Sequence, residues 1–326
     1  MKIFIAGYGA EGRSNLAYYR QKFPDVELAI LDENPVTNAP ENVKIYSGAD
    51  VFSHFYNDVD LILRSPGISP TKLRTTGKVW TAANEFFERC PAPIIGVTGT
   101  KGKGTTCSLI ASILKAAGKT VHLVGNIGVP PLDVLSQIQP SDIVVYELSS
   151  FQLWDLQRSP HVAVVLMIEP DHQDVHRTFD EYVEAKANIC HHQRPEDFCV
   201  YHPTNPYARQ IALSSSGQGQ AYRYAIADDF QVYVSGVYFM SQNRQICPTD
   251  ALQLPGVHNL ENACAAMSAV SLAVPGIAPE AYDRGLRTFD GLPHRLKFVR
   301  KVNEISYYDD SIATTPGSAI AALNAF

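Results

Sequence analysis

The 326-residue sequence lacks the features that mark membrane-spanning and secreted proteins. No uninterrupted apolar run reaches about 18 residues, so we expect no membrane-spanning helix. The apolar start, residues 1–6, is too short for the core of a signal peptide. The six cysteines include no Cys-x-x-Cys pair, and we expect them to be reduced, buried and structural. These absences predict a cytoplasmic protein.

An excess of positive charge is also missing. Lys and Arg total 27 against 33 Asp and Glu, which gives a net charge of −6. This mildly acidic balance argues against nucleic acid as the main partner. Internal repeats and low-complexity segments do not occur. With 45% hydrophobic residues, a chain of this length is expected to form two or three domains with sizeable cores.

The chain does contain a glycine-rich segment, residues 99–106, between two regular patterns. Residues 92–97 are apolar enough for a buried strand, and apolar residues recur at helical spacing from Ser108 to Gly118. Such an order forms a phosphate cradle, because backbone N–H groups converge there and the helix dipole favours an anion. Lys103 adds a point charge. The candidate nucleotide-binding residues of the segment are Gly99, Thr100, Lys101, Gly102, Lys103, Gly104, Thr105 and Thr106.

The match to the P-loop pattern is imperfect at one position. That pattern has Ser or Thr directly after its lysine, where the hydroxyl reaches Mg²⁺. Here Gly104 follows Lys103, and the first hydroxyl comes at Thr105. An ordinary glycine-rich turn is the alternative interpretation. The flanking strand and helix patterns favour the phosphate cradle.

A second glycine-rich turn, Gly-Tyr-Gly-Ala-Glu-Gly, occupies residues 7–12. It follows a strand pattern, and the next strand pattern ends at Asp32, as in a dinucleotide-binding fingerprint. Alone it supports a nucleotide-binding Rossmann-like domain better than NAD in particular. A third strand pattern runs into residues 65–67, and loops at the carboxyl ends of parallel strands line the ligand crevice. A plain turn is the alternative for residues 65–67. The candidate contacts are Ser14, Asp32, Ser65, Pro66 and Gly67.

Carboxylates and imidazoles follow two later strand patterns. Glu147 ends one of them, where a carboxylate beside a P-loop is the expected magnesium ligand and a salt-bridged strand end is the alternative. The other strand runs into residues 169–176, which read Glu-Pro-Asp-His-Gln-Asp-Val-His. This mixture fits Mg²⁺ or Mn²⁺ better than zinc. Lys186 follows on a helix, and the residues alone predict that it lies on the surface.

Two breaks divide the chain. Residues 90–93 interrupt the pattern before the P-loop strand, and residues 291–295 follow the last helix of the central part. We predict an α/β protein with an N-terminal Rossmann-like domain at residues 1–91 and a P-loop α/β ATPase domain, with an additional small β-sheet, at residues 92–293. Residues 294–326 cannot bury a core of their own, so they either pack on the second domain or belong to a truncated chain.

Seven motifs together resemble the Mur ligase family in content and order, over nearly the whole chain. Residues 147–153, 291–295 and 65–67 look most like its D-glutamate-adding members. A set of seven is far more specific than any one motif. The motifs occupy residues 99–105, 125–128, 147–153, 171–172, 258–262, 291–295 and 310–314.

The resemblance implies an ATP-dependent carboxylate–amine ligase of peptidoglycan precursor synthesis, with three domains. Its substrates would be UDP-N-acetylmuramoyl-L-alanine, D-glutamate and ATP, and the muramoyl carboxylate would be activated as an acyl phosphate. The family's third domain carries the site for the incoming amino acid, and this sequence stops early in it, which favours a truncated chain. We expect a monomer, without nucleic-acid or membrane partners.

The resemblance also gives catalytic roles to four residues. Lys103 would hold the phosphates, and Glu147 would share one Mg²⁺ with Thr105. His172 would share a second Mg²⁺ with Lys186. The matching lysine of the family is carbamylated, which replaces the prediction of a surface lysine at Lys186.

Further positions match ligand contacts of the family. Two positions depart from the pattern of the family. Gly104 makes the run Gly-Lys-Gly-Thr, which resembles the related folylpolyglutamate synthases, and Ile312 stands where many glutamate-adding ligases carry lysine. The matching substrate contacts are Asn126, Ser149 and Gln152, with Asn126 also near ATP. The matching ATP contacts are Asn262, Arg295 and Asp310, of which Asn262 would contact adenine.

Three alternatives remain beside the peptidoglycan ligase. A folylpolyglutamate synthase shares the ATPase core, but it lacks the separate domain that residues 1–91 are predicted to form. An NAD-binding regulatory module would explain residues 7–12 and leave Lys103, Glu147 and His172 unused. A catalytically silent fragment would still bind nucleotides.

Overall fold

The computed structural model describes residues 1–172, 174–213, 217–225, 231–313 and 316–326, with only the backbone described at residues 316–318 and 321. Residue 173 of the acidic segment and Thr314 of the last motif lie outside the described residues. The fold is α/β, as the sequence predicted, and its two large sheets are parallel. No helix in the described part of the chain is long and apolar enough to cross a bilayer.

The first 91 residues form a five-stranded parallel sheet of order β3-β2-β1-β5-β7, and β4 pairs with β6 beside it. The strand order reverses at β1, and such a switch point opens a ligand crevice at the carboxyl ends of the strands. Separate apolar clusters cover the two faces. The elements are β1 (Lys2–Ala6), α1 (Ala10–Lys22), β2 (Glu27–Asp32), β3 (Lys44–Ser47), β4 (Phe55–Tyr56), β5 (Leu61–Arg64), β6 (Arg74–Thr75), β7 (Lys78–Trp80) and α2 (Ala82–Arg89).

The central part contains a six-stranded parallel sheet of order β13-β12-β11-β8-β10-β9 and a three-stranded antiparallel sheet, β14-β15-β16. The P-loop strand β8 lies in the middle of the larger sheet. Its elements are β8 (Ile94–Thr98), α3 (Lys103–Ala116), β9 (Val121–Gly125), α4 (Pro131–Val134), β10 (Ile143–Glu147), α5 (Ser150–Leu153), β11 (Val162–Val165), α6 (Phe179–His191), β12 (Phe198–Tyr201), α7 (Pro206–Leu213), β13 (Gln220–Arg223), β14 (Tyr233–Ser235), β15 (Tyr238–Ser241), β16 (Arg244–Pro248), α8 (Val257–Ala273) and α9 (Pro279–Thr288).

Helix α2 lies between the two large sheets. Its Phe86 packs edge-to-face on Tyr146 of β10, with ring centroids 5.6 Å apart, inside the core of the second sheet. Its Glu85 accepts hydrogen bonds from Tyr18 of α1 at 2.9 Å and from the Trp80 indole at 3.2 Å. The helix therefore joins both units, and the boundary at residue 91 stays a prediction.

The last segment contains the antiparallel hairpin β17 (Lys297–Val302) and β18 (Ile305–Asp309), followed by α10 (Pro316–Leu323). The sequence predicted β18 but not β17, whose apolar and charged residues do not alternate regularly. Several large apolar side chains of the hairpin are exposed, Phe298 to 52% and Ile305 to 58%. All six cysteines are free thiols; five are buried, as predicted, and Cys90 is half-buried.

The turn between β1 and α1 depends on a close backbone contact at Gly12. A Cβ atom built on Gly12 would lie 1.9 Å from the carbonyl oxygen of Gly7. We expect Gly12→Ala to lower the free energy of unfolding by about 1–3 kcal/mol, because the chain must shift to relieve this overlap. Urea unfolding followed by circular dichroism measures the loss. Gly67→Ala is the matched control, since a Cβ there meets no atom within 4 Å; equal losses in the two variants would contradict the steric account.

Candidate active site

The P-loop connects the carboxyl end of β8 to the first turn of α3. Gly102 caps α3 in a left-handed conformation, φ 82°, and a Cβ there would lie 2.5 Å from the Asn262 amide oxygen. Only glycine satisfies both conditions without strain. The Lys103 ammonium donates to the carbonyl oxygens of Gly99 at 2.9 Å and Thr100 at 3.0 Å. It is thereby held over the loop where an anion would bind.

Glu147 lies beside this lysine at the end of β10, which pairs in parallel with β8. Its side chain is buried, and its Oε1 accepts a hydrogen bond from the Asn126 amide at 3.3 Å. Burial lowers the pKa of Lys103, and the Glu147 carboxylate opposes that shift. A Cβ on Gly104 would lie 3.5 Å from Glu147 Oε2. The structure therefore brings Lys103, Gly104, Asn126 and Glu147 together at one edge of the sheet.

Lys186 is buried, with 1% exposure, so the surface position predicted from the residues alone is wrong. Its ammonium nitrogen donates to Thr98 Oγ1 at 3.2 Å and to the Gly99 carbonyl at 3.0 Å, and lies 4.7 Å from the Tyr182 ring centroid. Burial and the neighbouring Lys103 cation lower the pKa of Lys186 well below its usual value. These surroundings favour the neutral amine.

His172 stands at the rim of this group. Its side chain is 47% exposed, and its ring centroid lies 4.9 Å from that of Phe151 and 6.3 Å from that of Tyr182. Its Nε2 is 3.9 Å from Asp171 Oδ2, while the other carboxylate oxygen of Asp171 accepts from the His172 backbone N–H. Among the described residues, no three His, Cys, Asp or Glu side chains form a preassembled metal cluster.

A cavity of about 360 Å³ adjoins the P-loop, within the size range of small-molecule sites. The N-terminal half of α8 and the segment after residue 290 form its other walls. Thr106 Oγ1 donates to the Asn262 amide oxygen at 3.4 Å and ties α3 to that wall. Six of the predicted ATP residues line the cavity, namely Lys101, Gly102, Thr105, Asn262, Arg295 and Asp310, as does Ile312.

Two further predicted P-loop residues, Gly99 and Thr100, contact the segment that follows β11. Thr100 Oγ1 accepts from the Glu169 backbone N–H at 2.8 Å and pairs with the Tyr182 hydroxyl at 3.1 Å. The loop is thus tied to the segment that follows β11. Gly99 fits closely, since a Cβ there would lie 2.7 Å from the Cβ of Leu166.

In the crevice of the first sheet, the predicted polar residues hold the backbone. Asp32 accepts from the Tyr8 N–H at 2.8 Å, and Ser65 Oγ donates to the Gly7 carbonyl at 2.9 Å. Ser14 is buried and donates to Asp133 Oδ1 of α4 at 2.6 Å. Asp32 and Ser65 therefore meet at the glycine-rich turn, and Pro66 and Gly67 follow Ser65 in the adjoining turn. Their ligand contacts stay predictions.

Ser149 and Gln152 form a capping box at the start of α5. The Ser149 N–H and hydroxyl both donate to Gln152 Oε1 at 3.0 Å, and the Gln152 N–H donates to Ser149 Oγ at 3.3 Å. The Glu11 carboxyl of the first glycine-rich turn lies near this capping box. Burial raises the pKa of Glu11 to about 7, against the opposing effects of Gln152 and Arg64.

Comparison with known proteins places this site in a family. Residues 97–270 match the model described as the Mur ligase middle domain. Over its whole length the chain is 34% identical to the UDP-N-acetylmuramoylalanine--D-glutamate ligase of Acetivibrio thermocellus, and it covers 72% of that protein. The chain belongs to the Mur ligase family. The predicted resemblance is confirmed, and so, at the level of the family, is the prediction of an ATP-dependent ligase of peptidoglycan precursors.

Solved structures of Mur ligases and their neighbours share the fold. The chain aligns with MurF from Acinetobacter baumannii at a TM-score of 0.58 and 20% identity, over 98% of this chain and 66% of that one. It aligns with E. coli FolC in complex with DHPP and ADP at a TM-score of 0.54 and 21% identity, over 73% of this chain and 66% of that one.

Two buried residues of this Mur ligase site were not singled out from the sequence. His176 lies within the predicted acidic segment; its ring stacks on Trp154 at 4.2 Å, and its Nε2 lies 3.0 Å from Ser150 Oγ. The spacing of histidines in residues 169–176 was a signal for it. Arg64 is fully buried at the end of β5. Nothing in its local sequence distinguishes it from an exposed strand-end cation.

The raised pKa of Glu11 makes the stability of the fold depend on pH. Between pH 4.5 and about 7 the folded chain binds a proton at Glu11 that the unfolded chain releases, so stability falls as pH rises through this window. We expect Glu11→Gln to be about 1–3 kcal/mol more stable than the unmodified chain above this window, and the difference to vanish below it. Urea midpoints across the window measure this. Glu41→Gln, at an exposed position, is the matched control, and a pH-independent difference for Glu11→Gln would contradict the assigned shift.

Proposed function

We propose that this chain binds UDP-N-acetylmuramoyl-L-alanine and ATP for a ligase that adds D-glutamate to the muramoyl substrate. The observation that carries the proposal is the combination of two parallel sheets in one chain: the order of the first reverses at β1 beside a glycine-rich turn, and the second carries the P-loop next to a cavity. The relative from Acetivibrio thermocellus carries the name of this reaction. We assign the muramoyl nucleotide to residues 1–91 and ATP to residues 92–293, together with Arg295 and Asp310 of the segment that follows.

The proposed reaction has two steps. The substrate carboxylate attacks the γ-phosphorus of ATP, which forms an acyl phosphate and releases ADP. The amine of D-glutamate then adds to the acyl carbon, and the resulting tetrahedral intermediate expels inorganic phosphate and leaves an amide. Most of the catalysis in such phosphoryl transfer comes from positioning and from neutralising the charge on the transferred group.

This chain supplies the cationic and backbone donors for those tasks. The Lys103 ammonium and the N-terminus of α3 would neutralise phosphate charge, since both point at the loop. Asn126, Ser149 and Gln152 would hold the substrate near its carboxylate. Asn262, Arg295 and Asp310 would orient the nucleoside part of ATP, because all three line the cavity; Gly99, Thr100, Lys101, Gly102, Gly104, Thr105 and Thr106 would complete the phosphate loop.

The donor set suits Mg²⁺ at one position and, after modification, at a second. Thr105 and the Glu147 carboxylate would hold the first ion, since Glu147 is buried with a neutral amide as its hydrogen-bond partner. His172 would share a second ion with Lys186, whose two hydrogen-bond acceptors are neutral oxygens. A neutral buried amine reacts with carbon dioxide, and carbamylation would give Lys186 the oxygen ligands that Mg²⁺ prefers. Bound Mg²⁺ would lower the charge on the phosphate oxygens.

The alternative with a specific observation in its favour is a folylpolyglutamate synthase. The glycine at position 104 is shared with those enzymes. A Cβ there would lie 3.0 Å from a methyl group of Leu292, so Leu292 fills the space that the side chain of a larger residue would need. Against it, FolC aligns with 73% of this chain and MurF with 98%. The crevice of the first sheet also has no role in a folate enzyme.

Calorimetric titration tests the proposed substrate directly. We expect UDP-N-acetylmuramoyl-L-alanine to bind this chain more tightly than UDP, because only the longer ligand reaches α5 as well as the first crevice. Dihydrofolate is the parallel control and should not bind. Binding of dihydrofolate with neither uridine ligand would replace the proposal by the folate enzyme. An NADH fluorescence titration tests the NAD-binding regulatory module, because binding of NADH would favour that module over both the muramoyl ligase and the folate enzyme.

Lys103→Ala tests the phosphate assignment in a chain with the full length of the relatives. We expect ligation to fall by at least about 100-fold, since electrostatic groups at a transferring phosphoryl typically contribute this much. The release of ADP and phosphate measures the rate of ligation. We expect the binding of the muramoyl nucleotide to stay unchanged. Lys115→Ala, an exposed lysine of the same helix, is the control. Ligation retained in Lys103→Ala would contradict the assignment of Lys103 as the phosphate-binding lysine.

A further inference from the structure

Arg64 is the most completely buried cation of the described chain that the proposed chemistry leaves unused. It ends β5 and directly precedes the turn at residues 65–67, yet its side chain has 0% exposure. Burial of a charged group is costly unless it is paired and its donors are matched. The partners of Arg64 therefore show what the fold gains from this charge.

The guanidinium joins the two sheets. On one side Nη1 donates to the Ile68 carbonyl at 2.7 Å, with longer contacts of 3.4 Å to the carbonyls of Ser65 and Pro66. On the other side Nε and Nη2 donate to the Asp155 carboxylate at 3.1 and 2.6 Å, and Nη2 also donates to the Phe151 carbonyl at 3.0 Å. One rigid planar group thus holds the loop after β5 against the end of α5.

Asp155 is itself held in place from the opposite side. The Asn84 amide of α2 donates to the Asp155 backbone carbonyl at 2.9 Å, and the Gln157 N–H donates to Asn84 Oδ1 at 2.9 Å. The backbone that carries the Asp155 carboxylate is therefore held in place. Because a guanidinium presents its N–H donors in a fixed fork, the relative position of the loop and α5 is narrowly defined.

The two elements that Arg64 connects hold different candidate contacts. Residues 65–67 belong to the crevice on the first sheet, whereas Ser149 and Gln152 cap α5 on the second. A nucleoside diphosphate sugar with a carboxylate-bearing arm would contact both, while a nucleoside diphosphate alone would contact only the first.

We propose that Arg64 is a positioning residue that sets the distance and orientation between these two halves of one extended substrate site. It contacts no reacting group. The inference rests on the proposed function, in that the ligand must span both sheets. A residue that only stabilised the fold would affect short and long ligands alike, whereas a positioning residue affects the long ligand selectively.

Asp155→Asn is the sharpest variant, because it removes the charge on the far side and leaves the Nη1 contacts of the loop in place. We expect its affinity for UDP-N-acetylmuramoyl-L-alanine to fall roughly tenfold, which corresponds to a coupling of about 1.4 kcal/mol. Its affinity for UDP should stay within about twofold of that of the unmodified chain. Isothermal calorimetry with both ligands measures the two affinities. Arg64→Lys, which keeps the charge but loses the fork, should change in the same direction.

The matched control is Arg158→Ala. Arg158 forms an exposed ion pair with Glu88 of α2 at 2.6 Å, with side-chain exposures of 51% and 42%, and such pairs contribute little. Neither affinity should change in this variant. Equal losses for the short and long ligands in folded Asp155→Asn would overturn the proposal, as would unchanged affinity for the long ligand.

Small-angle scattering of the free chains provides a readout without ligand. The radius of gyration of Asp155→Asn should rise at unchanged circular dichroism, because the two sheets lose a fixed contact. An unchanged radius would overturn the positioning role even if the muramoyl nucleotide proves to be the wrong ligand. Failure of the unmodified chain to bind either uridine compound, with the expected rise in radius, would instead overturn the proposed function alone.

Discussion

Two lysine side chains share one carbonyl oxygen, and the architecture of the site depends on this arrangement. Lys103 comes from the first turn of α3 and Lys186 from the middle of α6, and both donate to the Gly99 carbonyl, at 2.9 and 3.0 Å. Two ammonium groups so close in a buried place repel each other, so one of them is favoured as a neutral amine. In the proposed function, Lys103 would be the amine that neutralises phosphate, and Lys186 would be the neutral amine that is available for other chemistry.

The different positions of Lys103 and Lys186 depend on the parallel sheet. Strands β8 and β10 end side by side, and Glu147 reaches the P-loop because it is the last residue of its strand. Helix α6 delivers Lys186 from the opposite side, across the Tyr182 ring. The functional groups thus come from segments far apart in sequence, and a single crossover pattern brings them to one edge.

Much of this was predictable from local sequence. The two glycine-rich turns, the buried strands that precede them and the carboxylate at Glu147 all follow from short-range rules, and the structure places them as expected. Lys186 shows where such rules fail: its helix has polar residues on several sides, and only the packed sheet determines which of them is buried. Arg64 shows the same limit, because its partner Asp155 lies 91 positions away and leaves no local trace. Helix α2 precedes the predicted boundary, yet it contacts both units: its Phe86 enters the core of the second sheet, whereas its Glu85 bonds Tyr18 of α1.

The carboxamide of Gln152 has a further consequence. Its oxygen already accepts two hydrogen bonds from Ser149, one from the backbone N–H and one from the hydroxyl. A ligand that engages the Gln152 amide oxygen must therefore take over an existing bond rather than satisfy a free group. Such an exchange gives little net affinity, but it penalises any ligand whose own donors and acceptors cannot restore the displaced contacts. At this position, recognition would act chiefly by rejecting the wrong molecule.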